Sequence, residues 1–306
     1  MKLATVRHHP EASSRLAVIV DNLAVDVELL GQAETLALPS TMLDFIDLGP
    51  SAVSVTAQLL ADESFRSRPG LATPLANVDL LAPIPRPRKN MWGIGLNYAE
   101  HVAESARSLD TAKEMPDEPV IFCKPPGTVC GPGDPIVHNP KLTQQLDWEV
   151  ELGVIIGQRA KQVSADDAMD HVFGYTTMID VSARDARRSG QWIVSKGQDT
   201  YAPMGPWIVT ADEIEDPHNL DLWLTKNGET KQSSNTQHMY FKIPQLIENI
   251  SEGMTLDPGD VILTGTPEGV GAGRDPQEWM WPGDTLVAHV EGIGTISHPI
   301  VGVDHD

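Results

Sequence analysis

Apolar positions alternate with other residues at Val150, Leu152, Val154 and Ile156, and β-branched types dominate the second half of this stretch. A period of two with β-branched residues predicts a strand over Leu146–Ile156. The same reading predicts strands at Trp92–Leu96, Val120–Lys124, Gly174–Asp180, Trp207–Thr210, Leu220–Lys226, Val261–Thr264 and Leu286–Val290. Turn residues punctuate them, as at Pro125-Pro126-Gly127, Asn227-Gly228, Pro258-Gly259-Asp260 and Pro282-Gly283-Asp284. Helical spacing is rarer. It occurs at Thr41–Leu48, at Val53–Leu60, from the capping-box start Ser164 toward Val172, from Ser182 toward Gln191, and after Pro244. Many short strands with few helices predict an α+β fold that is mainly β.

The first part of the chain reads as a separate unit. Leu16–Val20 and Leu23–Val27 form a predicted hairpin about Asp21-Asn22, followed by the two helices, with no chemical constellation. Ala82–Asn90 holds three prolines in nine residues, a stiff connector whose basic residues read as solvated. We therefore divide the chain into a small N-terminal α/β domain, residues 1–84, and a mainly β domain, residues 85–306.

On the predicted strand, Asp147, Glu149 and Glu151 share one face, with neighbouring Cα atoms roughly 6.5–7 Å apart. No Lys or Arg lies between them. This pattern fits a hard-cation site or a solvated acidic edge. Asp180, at the end of a later strand, offers a third carboxylate to Glu149 and Glu151. Three oxygen ligands with open positions suit Mg²⁺ or Mn²⁺, and the lack of nearby Cys or His disfavours zinc.

His101 and Glu104 stand three apart on a predicted helical turn, so the carboxylate can orient the imidazole as a general base. Lys124, Lys196 and Thr266 sit beside glycine or proline in loops, where they suit a substrate carboxylate. The glycine-rich loop around Thr266 is neither GxGxxG nor GxxxxGK[ST], which speaks against nucleotide binding. GxSxG, HExxH and CxxC are absent, which speaks against serine or cysteine hydrolysis.

Charge narrows the partners. With 43 acidic and 22 basic residues, a net of −21, the chain lacks the basic face that nucleic acid or an anionic membrane requires. Cys123 and Cys130 are the only cysteines, too few for a disulfide scaffold. No apolar run reaches transmembrane length, and the start lacks the apolar core of a signal peptide, so the expected location is cytoplasmic.

Seven motifs occur in order: Gly95–Glu104 (GLNYAEHVAE), Phe122–Pro125 (FCKP), Asp147–Leu152 (DWEVEL), Gly174–Asp185 (GYTTMIDVSARD), Lys196–Trp207 (KGQDTYAPMGPW), Asn227–Glu229 (NGE) and Pro258–Gly271 (PGDVILTGTPEGVG). Through them, residues 88 to 300 resemble the fumarylacetoacetate hydrolase family. Residues 1 to 82 resemble the variable N-terminal module of many members. The resemblance implies a mixed β-sandwich roll and a usual homodimer. It implies Mg²⁺ or Mn²⁺ on Glu149, Glu151 and Asp180, with Asp147 outside the ligand set and mild on substitution. His101 with Glu104 would activate water on a lid segment. Lys124, Lys196 and Thr266 would hold the 2-oxo acid end of a small-molecule substrate, Lys196 also stabilising charge, and Arg184 and Tyr98 match positions that touch substrate.

The activity implied first is hydrolytic cleavage of a C–C bond in a 2,4-dioxo acid, acylpyruvate-like or fumarylpyruvate-like, through a metal-bound enolate, as in aromatic catabolism. The alternative is an isomerase, tautomerase or decarboxylase of a 2-oxo or 2-hydroxydienoic diacid. A non-catalytic binding module is a third reading, disfavoured because acid, base and metal positions are all occupied. Asn97 stands where some members carry an Asp ligand, and Arg187 where some hydrolases carry a substrate-contacting Gln. Ser105–Pro119, at the lid, is a few residues longer than usual. The insert Gln277–Trp281 reads as packing rather than a pocket rim.

Overall fold

The computed structural model describes residues 1–108, 115–188 and 190–303. The expectation of a longer lid at Ser105–Pro119 falls largely on residues outside the described ones. Among the described residues, no helix is long and apolar enough to cross a membrane.

Two sheets carry the chain. The larger runs Ala72–Pro74, Leu23–Asp26, Arg15–Val20, Lys2–Arg7, Ala202–Thr210, Val172–Ile179, Val150–Ile156, Val261–Leu263, Met91–Gly95 and Val120–Lys124. The smaller runs Glu229–Asn235, Asp221–Lys226, Thr285–Val290, Gly294–Gly302 and Ile136–His138. Few helices accompany them, so the α+β, mainly β reading holds. The N-terminal strands join the larger sheet where Lys2 and Leu3 pair with Val209 and Ile208.

Alternation along Val150–Ile156 explains its place. All seven residues are buried. Val150, Leu152, Val154 and Ile156 pack with Leu222, Leu224, Leu286 and Ala288 of the second sheet and with Leu246, Ile247 and Ile250 of the helix Ile243–Gly253. Ile155 faces the other way, into Phe45, Ile46, Met178, Ile208 and Leu263. A strand with apolar packing on both faces is fixed in register, because a one-residue slip would exchange its faces. Glu151 is held by that register.

Three local expectations change. The stretch Leu146–Ile156 is two strands, Leu146–Asp147 and Val150–Ile156, broken at Trp148 and Glu149. Trp148 N donates to Asp147 Oδ1 at 2.8 Å, and Glu149 O accepts from Asp180 N at 2.8 Å. The three carboxylates therefore do not share one face. Ser182 to Gln191 is a two-residue strand, Ser182–Ala183, and a 3₁₀ turn, Arg184–Ala186, rather than a helix. Arg184 and Asp185 hold it through bonds to Asp147 and to Thr143 and Gln144. From Ser164 the chain makes only a 3₁₀ turn, Ala168–His171, before entering the strand at Val172.

The connector is more than a spacer. Ala82 and Ile84 are buried. Arg88 pairs with Asp47 at 2.6 Å and Lys89 with Asp260 at 3.1 Å, so these two are anchors, while Arg86 is exposed as expected of a solvated charge.

Candidate active site

Glu149 comes from the break between strands, Glu151 from the second residue of Val150–Ile156, and Asp180 from one residue past Val172–Ile179. The antiparallel pairing of Val150 with Ile179 brings them together. All three are buried, and one carboxylate oxygen of each lies within 4.8 Å of the others. This group could hold a metal ion.

The charges around it fit that use. Lys196 Nζ donates to Glu149 Oε2 at 2.7 Å and Asp180 Oδ2 at 2.6 Å. Burial opposes the charge on Lys196, but Asp180 and Glu149 outweigh it and its pKa is raised. Burial likewise works against ionised Glu149, yet Lys196 and Arg184 hold its pKa below the usual carboxylate range. Glu151 differs. Its carboxylate accepts from the Gly265 N–H at 2.7 Å and feels Lys196 at longer range, but burial with Asp180 and Glu149 outweighs both and pushes its pKa well above the usual value. A buried carboxylate with two anionic neighbours and one backbone donor is undercompensated, and a divalent cation is the partner that corrects this. The residues present therefore fit Mg²⁺ or Mn²⁺.

Asp147 has a different task from the other acids. It is fully buried. Its carboxylate accepts from Gly271 N at 2.6 Å, Ala272 N at 3.0 Å and Arg184 Nε at 2.8 Å. Arg184 Nη2 in turn lies 2.7 Å from Glu149 Oε1. One guanidinium thus links Glu149 of the carboxylate cluster to the anchor of the 269–273 loop. Asp147 stands outside the carboxylate cluster but is buried rather than on the surface, and its bonds argue against a mild effect of substitution.

His101 and Glu104 lie on the helix Ala99–Ser108, both buried, with Nδ1 3.5 Å from Oε2. Gly269 N donates to both oxygens of Glu104, at 3.2 and 3.1 Å. The dyad therefore rests on the loop that Asp147 anchors. Gly273 is required for that approach: a Cβ there would lie 1.9 Å from the Glu104 carboxyl carbon. Glu104 ends a flexible side chain and can swing away, so Gly273→Ala is expected to cost less than about 1 kcal/mol of stability. Activity is expected to fall by about tenfold to a hundredfold, as when a positioning carboxylate leaves a catalytic imidazole. Thermal melts and steady-state kinetics on the one variant check both halves.

A cavity opens beside the acids. It is lined by Ile94, Gly95, Leu96, His101, Phe122, Glu149, Arg184, Arg187, Trp192, Ser195, Lys196 and Thr266. Among the expected substrate contacts, Arg184, Lys196 and Thr266 are on its wall, with much of their bonding capacity already engaged. Thr266 donates to Val150 O at 2.9 Å and accepts from Gln232 Nε2 at 2.8 Å. Lys124 and Tyr98 are not among the lining residues. Lys124 lies beneath the site, donating to Asp180 Oδ1, Val181 O and Lys196 O, while burial lowers its pKa. Tyr98 is fully buried beside Met239. Asn97 uses its whole side-chain amide on backbone, donating to Phe241 O and Thr264 O and accepting from Phe241 N. Both amide hydrogens are committed, and Oδ1 is turned to the Phe241 backbone. Trp281 packs edge-on against His138, away from the cavity.

Sequence reasoning passed over Gln232. Its Oε1 accepts from Val150 N at 2.9 Å and its Nε2 donates to Thr266 Oγ1 and Pro267 O. It pins the start of the central strand to the Thr266 loop. Its strand, ETKQSSN, reads as wholly polar, so no periodicity marks the buried position.

A family model described as fumarylacetoacetate (FAA) hydrolase C-terminal matches residues 90–301. The chain belongs to the fumarylacetoacetate hydrolase family. It is an enzyme of that family by its relatives as well. It is 43% identical over 267 residues to the oxaloacetate tautomerase FAHD2A, mitochondrial, of Bos taurus, covering 86% of this chain and 81% of the relative. It is 44% identical over 227 residues to the oxaloacetate tautomerase YisK of Bacillus subtilis, covering 74% of each. Among solved structures, maleylpyruvate hydrolase from Sphingobium sp. SYK-6 in complex with manganese(II) ion and pyruvate matches with a TM-score of 0.75 and 30% identity. That match covers 99% of this chain and 100% of the other. The expectation of C–C bond hydrolysis is overturned by the two tautomerases. The alternative of a tautomerase or isomerase fits these relatives better.

Proposed function

We propose that the protein is a keto–enol tautomerase of a short 2-oxo dicarboxylic acid of the oxaloacetate type. The observation that carries this is the 43% identity to an oxaloacetate tautomerase across 86% of the chain. The site chemistry supports it. Tautomerisation needs one group to move a proton at C3 and another to hold charge on the C2 oxygen, and no carbon–carbon bond breaks. In the keto-to-enol direction His101 takes the C3 proton and the C2 oxygen gains one from solvent. In the reverse direction the C2 hydroxyl releases its proton to solvent and His101 delivers one to C3, with Glu104 fixing the imidazole from 3.5 Å. Lys196, held cationic by Glu149 and Asp180, faces the same cavity and stabilises negative charge developing on the C2 oxygen. Glu149, Glu151 and Asp180 would hold Mg²⁺ or Mn²⁺, which supplies Lewis acidity toward the oxygens of a 2-oxo acid when bound. Arg184 keeps Glu149 ionised and in place. Ile94, Phe122 and Trp192 line the cavity with apolar surface that limits access of water to the enol.

The functional unit in this proposal is a homodimer, checked by sedimentation equilibrium, and residues 1–84 form a supporting module that contributes no cavity-lining side chain among the described residues. The test of the chemistry is isotope exchange. In deuterated water, the enzyme with Mg²⁺ is expected to move deuterium into C3 of oxaloacetate faster than buffer with Mg²⁺ alone, and His101→Asn to remove the acceleration. Equal exchange with and without enzyme would refute the assignment.

A further inference from the structure

Among the described residues, three cationic side chains line the cavity, and two are engaged. Arg184 is paired with Asp147 and Glu149, and Lys196 with Glu149 and Asp180. The third, Arg187, stands at the exposed mouth. No carboxylate among the described residues perturbs it; the only charge that does is Arg184, a like charge. Its guanidinium carbon lies 4.7 Å from the centroid of the Trp192 ring. Trp192 is itself held, 5.1 Å from Phe122 on one side and close against Gly95, where a Cβ would come within 3.0 Å of the indole. Stacking on a wedged indole restricts the guanidinium while leaving its donor edge open.

We propose that Arg187 is the subsite for the distal carboxylate of a dicarboxylic substrate, and so sets the preference for diacids over monoacids. This rests on the reading of the site as one for 2-oxo acids. The acids and Lys196 occupy the inner wall, so the 2-oxo acid end belongs there and the far end of the substrate points to the mouth. A planar fork with unengaged donors there matches a carboxylate through two parallel hydrogen bonds. Two positive side chains in one wall, Arg184 and Arg187, repel each other, and an incoming anion relieves that repulsion. Arg187 touches no reacting atom in this assignment; it acts on binding.

The test separates the two ends of the ligand. L-malate and L-lactate are both 2-hydroxy acids, inert to keto–enol exchange, and only malate carries a distal carboxylate. Calorimetric titration of the Mg²⁺-loaded enzyme is expected to show malate binding about tenfold more tightly than lactate. Arg187→Gln is expected to weaken malate to the level of lactate, with lactate unchanged, and Arg187→Lys to restore part of the difference. The same Gln variant is expected to raise KM for oxaloacetate about tenfold with kcat unchanged. A preference for malate that survives Arg187→Gln, an equal loss of both ligands, or no preference in the wild type would overturn the proposal. Failure of the tautomerase reading shows separately, as absence of oxaloacetate exchange by the wild type whatever the malate-to-lactate ratio.

Discussion

Replacing Glu151 by Gln is expected to abolish the response to divalent cations while making the cation-free protein more stable. The two effects have one origin. Glu151 is buried beside Glu149 and Asp180; burial and these two anions push its pKa well above the usual carboxylate value, against the smaller opposing pull of Lys196 and the Gly265 N–H. Its ionised form opposes folding of the empty site, and a glutamine keeps the acceptor for Gly265 N while removing the charge. The sign follows from linkage. A carboxyl whose folded pKa is raised destabilises the fold above its unfolded pKa, and that penalty fades as pH falls. The melting temperature of the variant without cation should therefore exceed that of the wild type at neutral pH. With cation the order should reverse. The wild type gains about 2.7 kcal/mol at a cation concentration one hundred times Kd, and the variant gains nothing. Activity should fall about a thousandfold, since Lewis-acid stabilisation worth several kcal/mol converts at about 1.4 kcal/mol per decade. Melting scans with and without Mn²⁺, alongside kinetics, read all three.

The second large effect is expected at Asp147. Asp147→Ala leaves Gly271 N, Ala272 N and Trp148 N without their acceptor and removes one of the two carboxylates paired with a buried guanidinium. Breaking a buried pair of this kind costs about 3–5 kcal/mol. The loss should not stop at stability. The 269–273 loop supports Glu104, and Arg184 supports Glu149, so both the dyad and the cation site lose an anchor. Asp147→Asn is the informative partner. It preserves the shape and one acceptor oxygen, so it should regain much of the stability while activity stays low. Denaturant unfolding and kinetics on the two variants separate scaffold from site. A neutral outcome for Asp147→Ala in both measurements would show that the Asp147–Arg184–Glu149 chain carries no coupling.

The acids of the candidate site were legible because their signals are local. Alternation placed Glu149 and Glu151 near one strand, and a carboxylate at the end of a second strand supplied Asp180. What made Asp147 misleading is non-local. The direction of its carboxylate is decided by the break at Trp148 and by backbone donors 124 and 125 residues later. The same reason hides Gln232, whose partner Val150 lies 82 residues away in a strand with which it shares no sequence pattern. The helix expected over Ser182–Gln191 failed because Arg184 and Asp185 have better partners across the fold than along a helix. Hairpins such as Arg15–Val20 with Leu23–Asp26 were read from adjacent residues, whereas the joining of Lys2 to Val209 leaves no local trace. Activity was the least legible. Acid, base and cation positions are common to water attack and to proton transfer, so the motifs alone do not separate a hydrolase from a tautomerase.

The fate of the carbon skeleton distinguishes proton transfer from carbon–carbon cleavage. Enol-enriched oxaloacetate is mixed with the enzyme and Mg²⁺ or Mn²⁺, and enol absorbance is followed while carbon nuclear magnetic resonance counts the products. Accelerated relaxation to the keto–enol equilibrium is expected, with the four-carbon acid intact. Release of oxalate and acetate, or of pyruvate and carbon dioxide, in step with enol loss, or relaxation no faster than in buffer with the same cation, would contradict it.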